Sequence, residues 1–186
     1  MDFSSHIILE VNKFQNQLRR DLSNVPIRWV APQTMHLTLQ FLGEVPQRQI
    51  PSIQEAITTS TACFSAIPIH IGSVGSFPSF TKPQVLWLGI SADNTLEKLA
   101  SQLQAALRPL GFKPEKEFMP HLTLGRLNRM ANGEQQKLVS TTLAHWQSVD
   151  IGEDQLQEVV LYQSYLTQNG PIYTALFRAP LKNVLN

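Results

Sequence analysis

The sequence predicts one domain of two lobes, residues 1–186, in which short strands alternate with helices. Three observations predict it. The chain is 186 residues long, with 42% hydrophobic and 16% charged residues, which suffices for one sizeable core or two small lobes sharing a cleft. Hydrophobic periodicity switches repeatedly between that of a strand and that of a helix. The tetrapeptide His-Leu-Thr-Leu occurs twice, at 36–39 and at 121–124.

The first half of the chain opens with a short apolar run, which predicts a strand. Phe14, Leu18 and Leu22 then recur at helical spacing. The predicted elements are, in order, a strand over 6–11, a helix over 12–22, strands over 27–30 and 36–41, a helix from Gln47 to Ser60, and a strand over 67–71.

The second half repeats this alternation after a Ser/Gly/Pro-rich loop over 72–84. Asp93 is the predicted N-cap of a helix that Gly111 and Pro114 terminate, and Asn169-Gly170 predicts a tight hairpin turn. The predicted elements are, in order, a strand over 85–91, a helix over 93–110, a strand over 120–127, a helix over 133–146, and strands over 156–163 and 171–178.

These elements form a weak internal repeat. Strand, helix, His-Leu-Thr-Leu strand, helix and strand follow one another over 7–71 and again over 85–160. We expect two lobes related by a pseudo-twofold axis, with the two His-Leu-Thr-Leu strands in equivalent places. No linker rich in Pro, Gly and Ser divides the halves, so we expect one domain.

Composition limits the classes of function. The single cysteine, Cys63, excludes an intrachain disulfide and a thiolate metal site. The longest apolar runs have only the length of a strand, and the N-terminus lacks the features of a signal peptide, so we expect a cytoplasmic protein without a membrane partner. The net charge of +1 argues against tracking many phosphates along a duplex. A nucleic-acid substrate would be held by one terminus or a few nucleotides.

Each His-Leu-Thr-Leu segment predicts a strand with two different faces. Alternate side chains of a strand point the same way, so His36 and Thr38 share one face and the two leucines share the other. The same holds for His121 and Thr123. If the lobes pair as the repeat suggests, the two histidine and threonine edges face each other across a groove.

That arrangement suits the in-line opening of a cyclic phosphodiester. The reaction needs a base that takes a proton from water and an acid that protonates the departing ribose oxygen, on opposite sides of phosphorus. Histidine, with an ordinary pKa of about 6.5, serves in either role near neutral pH. Threonine hydroxyls can hydrogen-bond the non-bridging oxygens. A lone histidine in a strand is usually structural, but two copies at equivalent points of a repeat favour a functional pair.

The remaining candidates have no comparable context. The sequence has no His/Asp/Glu cluster with metal-ligand spacing and no P-loop, so neither a metal nor a cofactor is expected. The tyrosines near the closing hairpin could line the cleft, but packing in the core is the favoured interpretation. Three histidines are expected at the surface or in the core: His6, His70 and His145. Trp29 and Trp87 are expected in the core, and the tyrosines near the hairpin are Tyr162 and Tyr165.

Longer segments around the two motifs resemble a known family. HLTLQFLGEV at 36–45 and PHLTLGRL at 120–127 are similar to the two HxTx signatures of the two-histidine (2H) phosphoesterase superfamily. The segments at 27–39, 73–90 and 159–181 resemble its RNA 2′,3′-cyclic phosphodiesterases, formerly called 2′-5′ RNA ligases.

The resemblance implies an α+β fold of two pseudo-twofold lobes, with antiparallel sheets lining a central cleft and helices outside. It also implies metal-independent hydrolysis of cyclic phosphates on RNA 3′ ends or small nucleotides, to products ending in a 2′-phosphate. A monomer is expected.

Six residues match functional positions of that family. The resemblance makes the first histidine the acid and the second the base. An undistorted strand would send the arginine to the face opposite His121, so we expect a bulge at Gly125 to re-aim it. By position, the catalytic histidines are His36 and His121, the phosphate-binding threonines Thr38 and Thr123, the arginine near the phosphate Arg126, and the aromatic residue bordering the nucleoside Phe41.

Two other functions stay open on sequence alone. A non-catalytic nucleotide-binding module would keep the same groove without turnover. Reversible 2′-5′ ligation of RNA ends would use the same groups, and we expect it only as a side reaction, because hydrolysis is favoured in water.

Overall fold

Helices and strands alternate along most of the chain. A computed structural model describes residues 1–114, 118–167 and 170–182. The α-helices of these residues are α1 (Ser5–Asp21), α2 (Ile50–Thr61), α3 (Thr95–Leu107) and α4 (Gly133–His145). The strands are β1 (Ile27–Trp29), β2 (Ile67–Ser79), β3 (Lys82–Ser91), β4 (His121–Leu127), β5 (Asp150–Leu156), β6 (Glu158–Thr167) and β7 (Gly170–Pro180).

The strands form two antiparallel sheets. The larger sheet has the order β1-β4-β3-β2-β5, and β6 pairs with β7 in a separate hairpin. Helix α1 packs on β5, α4 packs on β2 and β3, and α2 packs on α3 and on the β6–β7 hairpin. Antiparallel sheets with helices packed against them confirm the predicted α+β class. Within the described residues, no helix combines the length and apolarity that a membrane span requires.

The predicted strand over 6–11 is wrong, because these residues belong to helix α1. Ser4 caps the helix, its hydroxyl accepting from the Ile7 amide at 3.3 Å. The buried residues Ile7, Val11, Phe14 and Leu18 recur at helical spacing, whereas Leu9 is 51% exposed. A strand would have buried every second residue, so the burial pattern extends the predicted 12–22 helix back to Ser5 and removes the first strand of the internal repeat.

The predicted loop over 72–84 is also wrong, because the β2–β3 ladder continues through it. Register shifts between Gly72 and Val74 and between Phe77 and Pro78 absorb the glycine and proline residues that suggested a loop. Only Phe80 and Thr81 connect the two strands.

Several other boundaries differ from the predictions. The strand over 156–163 is two strands, β5 and β6, of which β5 begins at Asp150. The N-cap of α3 is Asn94, in the left-handed region at φ 56° and without a side-chain cap, rather than Asp93. Thr167 pairs with Gly170 across the predicted hairpin, while Asn169 lies outside the described residues. The remaining helices and strands lie within a few residues of their predicted positions.

Among the described residues, the predicted strand over 36–41 is reduced to one β-bridge at Leu37, and the chain bends at Leu39. Strand β1 pairs with Gly125–Leu127 of β4, and the chain then leaves the ladder through a 3₁₀ turn at Pro32–Thr34. It returns to β4 at a single bridge, between Leu37 and Leu122. The buried Gln15 of α1 stabilises the point of departure, since its Nε2 donates to the carbonyls of Val30 at 2.8 Å and Leu124 at 2.9 Å.

Candidate active site

The two His-Leu-Thr-Leu segments lie side by side and run in opposite directions. Their meeting point is the antiparallel bridge between Leu37 and Leu122. Antiparallel pairing therefore sets His36 opposite Thr123 and Thr38 opposite His121. The two histidines are diagonal neighbours on one face, where side chains in this relation stand roughly 7–8 Å apart.

Burial separates the two faces of this pair. Leu37 and Leu122 are 1% and 0% exposed and belong to the hydrophobic core. All four histidine and threonine side chains are partly exposed. The alternation predicted for each motif is thus present, and it brings His36, Thr38, His121 and Thr123 together on one partly exposed face, which we call the groove.

Both histidines are held in the same way. The Nδ1 atom of His36 lies 2.9 Å from the Thr34 carbonyl oxygen, and that of His121 lies 2.7 Å from the Met119 carbonyl oxygen. A carbonyl oxygen only accepts, so each Nδ1 carries the hydrogen and donates it. In the neutral ring Nε2 is then the unprotonated nitrogen. Each histidine can accept a proton there or, once protonated, release one.

An aromatic pair flanks each histidine. The His36 ring meets Tyr173 edge-on at 4.7 Å between centroids and lies 6.0 Å from Tyr162. The His121 ring meets Phe77 edge-on at 4.9 Å and lies 6.4 Å from Trp87.

Two of these aromatic residues correct the sequence interpretation. Trp87, expected in the core, is only partly buried and lies on the groove face of β3 beside His121. Tyr162, given greater weight as a core residue, lines the groove instead, and Tyr165 is 70% exposed. Phe77 and Tyr173 were not predicted at all. Alternation along 73–90 and 159–181 could have placed Phe77 and Tyr173 on the groove face only if the pairing of the strands had been known. Bulges shift that pairing in both segments, and the sequence does not show where.

Burial and nearby charges influence the protonation of His36. Burial lowers the pKa of His36, and the positive amino group of Met1 lowers it further. The hydrogen bond to Thr34 and the Asp2 carboxylate act in the opposite direction without cancelling the effect of burial. The Met1 nitrogen donates to the Leu37 carbonyl at 3.0 Å. Asp2 accepts from the Tyr162 hydroxyl at 2.8 Å, and burial together with this bond raises the pKa of Tyr162 to about 12. His36 therefore favours its neutral form in the unliganded protein.

The expected bulge is present in β4 and re-aims Arg126. Leu86 pairs with Gly125, whereas the next residue, Trp87, pairs with Thr123, so Leu124 is an extra residue on β4. The extra residue reverses the alternation, and Arg126 returns to the face of Thr123. A Cβ at Gly125 would stand 2.8 Å from the Ile27 Cγ2, so the close approach of β1 requires glycine there.

A cavity of about 560 Å³ opens beside His36, within the usual size range of small-molecule sites. The segment 36–45 and residues 159–164 of β6 form its walls, and apolar side chains of α2 and α3 form its floor. Thr38, Phe41, Tyr162 and Tyr173 line it, and the Phe41 ring is 70% exposed. Over the described part of the chain, no group of three or more His, Cys, Asp or Glu side chains could hold a metal ion.

Solved structures share this fold. One, of TT0787 from Thermus thermophilus, superposes with a TM-score of 0.72 at 24% identity, covering 93% of this chain and 94% of that one. Another, of E. coli LigT complexed with 3′-AMP, superposes with a TM-score of 0.75 at 21% identity, covering 98% and 95%. At these identities the likeness shows a shared fold.

The chain belongs to the 2′-5′ RNA ligase superfamily, whose family model matches residues 4–159. A protein of Archaeoglobus fulgidus named RNA 2′,3′-cyclic phosphodiesterase is 36% identical over 158 residues, covering 84% of this chain and 86% of that protein. One of Methanocaldococcus jannaschii with the same name is 32% identical over 176 residues, covering 95% of both. The resemblance found in the sequence is confirmed.

Proposed function

We propose that this chain hydrolyses 2′,3′-cyclic phosphates at RNA ends or on nucleotides to 2′-phosphates, by a metal-independent acid–base mechanism of two histidines. The antiparallel pairing of the two His-Leu-Thr-Leu segments carries the proposal, since it sets two similarly oriented imidazoles on one groove. Family membership and the shared name of the related proteins support the reaction class.

The reaction proceeds by in-line displacement at phosphorus. One neutral histidine takes a proton from water through Nε2 as the water oxygen forms its bond to phosphorus. The bond from phosphorus to O3′ breaks on the opposite side, and the other histidine gives its Nε2 proton to O3′. The ring opens to a 2′-phosphate and a free 3′-hydroxyl, and the two histidines exchange protonation states until solvent restores them.

The neighbouring side chains stabilise the charge that develops on the phosphoryl oxygens. We assign the Thr38 and Thr123 hydroxyls to the non-bridging oxygens, since each lies opposite a histidine. Arg126 supplies the cation, because the bulge in β4 puts it on the same face as Thr123. The exposed ring of Phe41 borders the nucleoside at the rim of the cavity.

The resemblance assigns the base to His121 and the acid to His36. Burial lowers the pKa of His36, so it is mostly neutral in the free protein at neutral pH. The negative charge of a bound phosphate favours the imidazolium. On this assignment, substrate binding itself protonates the acid.

Replacing Tyr173 with alanine is expected to raise the pKa of His36. In the wild type, burial lowers that pKa below the ordinary histidine value of about 6.5. Removing the ring that lies 4.7 Å from the imidazole admits water, relieves this burial and moves the pKa back up. Because His36 must be protonated to act as the acid, the variant keeps the active form of this group to a higher pH. An NMR titration of His36 between pH 4.5 and 9 measures the shift. Tyr165→Ala, on the same hairpin but 70% exposed, is the control, and an equal shift in both variants would contradict the prediction.

Product analysis tests the proposed function. The protein is incubated with a nucleoside 2′,3′-cyclic phosphate and with RNA ending in a cyclic phosphate, in the presence of EDTA. We expect a 2′-phosphate from both, at a rate that the chelator does not change. Calorimetric binding without any product would instead indicate a nucleotide-binding module, and joining of RNA ends without hydrolysis would indicate a ligase.

Three broader features belong to the same proposal. Residues 1–186 act as one two-lobed domain, which the single groove built from both motif segments supports. The protein works as a monomer, since the groove contains both histidines of one chain. A reducing cytoplasm agrees with the one cysteine, Cys63, which is free and exposed.

A further inference from the structure

A second arginine lies beside Arg126 on the groove face of the large sheet. Arg28 of β1 is directly opposite Arg126 of β4 in the antiparallel ladder. Its neighbours Ile27 and Trp29 pack against the core, whereas Arg28 is exposed, so its side chain projects to the opposite face. That face is the one from which His121 and Thr123 enter the groove.

The guanidinium of Arg28 reaches across the groove to the β6–β7 hairpin. A Cβ at Gly170 would stand only 3.3 Å from the Arg28 Nη2. Gly170 precedes Tyr173 by three residues of β7, which is roughly 10 Å along a strand, and Tyr173 contacts His36. Arg28 therefore stands at the end of the groove, beyond the histidine pair.

The chain has a net charge of only +1, yet it sets two arginines side by side on this face. Guanidinium groups match phosphate oxygens bidentately, so two neighbouring arginines suit a substrate that carries two phosphates. If Arg126 serves the reacting phosphate, Arg28 is placed to meet a phosphate further along the substrate.

We propose that Arg28 binds the internucleotide phosphate one nucleotide upstream of the cyclic phosphate, and so selects RNA ends over free cyclic mononucleotides. The inference rests on the proposed function and specifies its substrate. It gives the groove a second phosphate subsite, formed by Arg28 and closed on one side by the backbone at Gly170.

Arg28→Gln tests the subsite on two substrates that differ by one phosphate. These are a nucleoside 2′,3′-cyclic phosphate and a dinucleotide that ends in the same cyclic phosphate. We expect the variant to lose about tenfold in kcat/KM on the dinucleotide through KM, the size of one charge-assisted hydrogen bond, and nothing on the mononucleotide. The slope of log KM for the dinucleotide against log salt concentration should also fall by about 0.7, the value for one lost phosphate contact on a single strand.

Two further variants serve as controls. Arg28→Lys keeps the charge and should restore the salt slope, while Arg20→Gln removes an exposed arginine of α1 whose side chain bonds Gln17, and should match the wild type on both substrates. An equal loss on the two substrates in Arg28→Gln would overturn the inference, since Arg28 would then act only through Arg126 or the fold. No loss on either substrate would overturn it too.

The failure of the proposed function would look different. In that case the wild type opens neither substrate. The subsite is then tested by calorimetry with a mononucleotide and a dinucleotide that each end in a 2′-phosphate. The subsite is supported if the wild type binds the dinucleotide more tightly than the mononucleotide and Arg28→Gln removes this difference. Equal affinities of the wild type for the two compounds refute it.

Discussion

His36→Ala and His121→Ala are each expected to lower kcat by about 10²–10⁴-fold, the usual contribution of one positioned acid or base. Each histidine is alone on its side of the phosphorus in the proposed mechanism, and its Nε2 has no substitute among the aromatic rings that flank it. Steady-state rates on a cyclic-phosphate dinucleotide measure the loss. The double variant should be little worse than either single variant, because the two groups act in one step.

His70→Ala is the matched control for this experiment. His70 lies on β2, is exposed, pairs with Asp150 at 2.9 Å, and does not line the cavity beside His36. The control should keep wild-type kcat, and all three variants should keep the wild-type urea midpoint within a small margin. Full activity in either His36→Ala or His121→Ala would exclude the two-histidine mechanism.

Leu122→Ala is expected to reduce the free energy of unfolding by about 2–5 kcal/mol. Leu122 is fully buried and lies between Leu37 on one side and Leu88 of β3 on the other, so truncation leaves a cavity at the centre of the core. The loss is a large part of the roughly 5–15 kcal/mol typical of a domain. Urea denaturation, followed by circular dichroism, measures it.

A leucine outside the core provides the comparison. Leu138 lies on α4 and is 42% exposed, so Leu138→Ala removes the same atoms with little change in burial and should cost less than about 1 kcal/mol. Equal destabilisation by the two substitutions would show that Leu122 is not the anchor of the motif pair.

The sequence was a good guide where one periodicity dominated. The alternation of His36 to Leu39 and of His121 to Leu124 determined which side chains share a face, and the structure keeps that division. It was a poor guide where a short apolar run is compatible with both the strand period and the helix period. Ile7, Ile8 and Leu9 are consecutive and apolar, and only the contacts of Ile7 and Val11 with the core show that the helical period applies.

The rest of the site depended on register, which single-sequence patterns do not determine. A bulge was expected at Gly125 from the offset of Arg126, and the extra residue is its neighbour Leu124. The cross-strand partner of Arg126 was not expected, so Arg28 was missed. Four aromatic residues reach the histidines from strands far away in sequence, and all four lie in strand pairs whose register shifts: Phe77, Trp87, Tyr162 and Tyr173. Their positions follow from long-range pairing rather than from local propensity.

The Leu37–Leu122 pair gives the groove a symmetry that its substrate shares. A half-turn about the axis through an antiparallel pair exchanges His36 with His121 and Thr38 with Thr123. A cyclic phosphate also has such an axis at phosphorus, which exchanges O2′ with O3′ and one non-bridging oxygen with the other. A substrate turned end for end would therefore meet an equivalent set of groups, and the histidines alone do not decide which ribose oxygen departs.

The direction of ring opening must come from parts of the groove that break this symmetry. Tyrosines flank one histidine, and Phe77 and Trp87 flank the other. In the proposed mechanism, regiochemistry is thus a property of the walls, whereas the two histidines between the walls open the ring. Substitutions in the walls would then change the product without replacing either histidine.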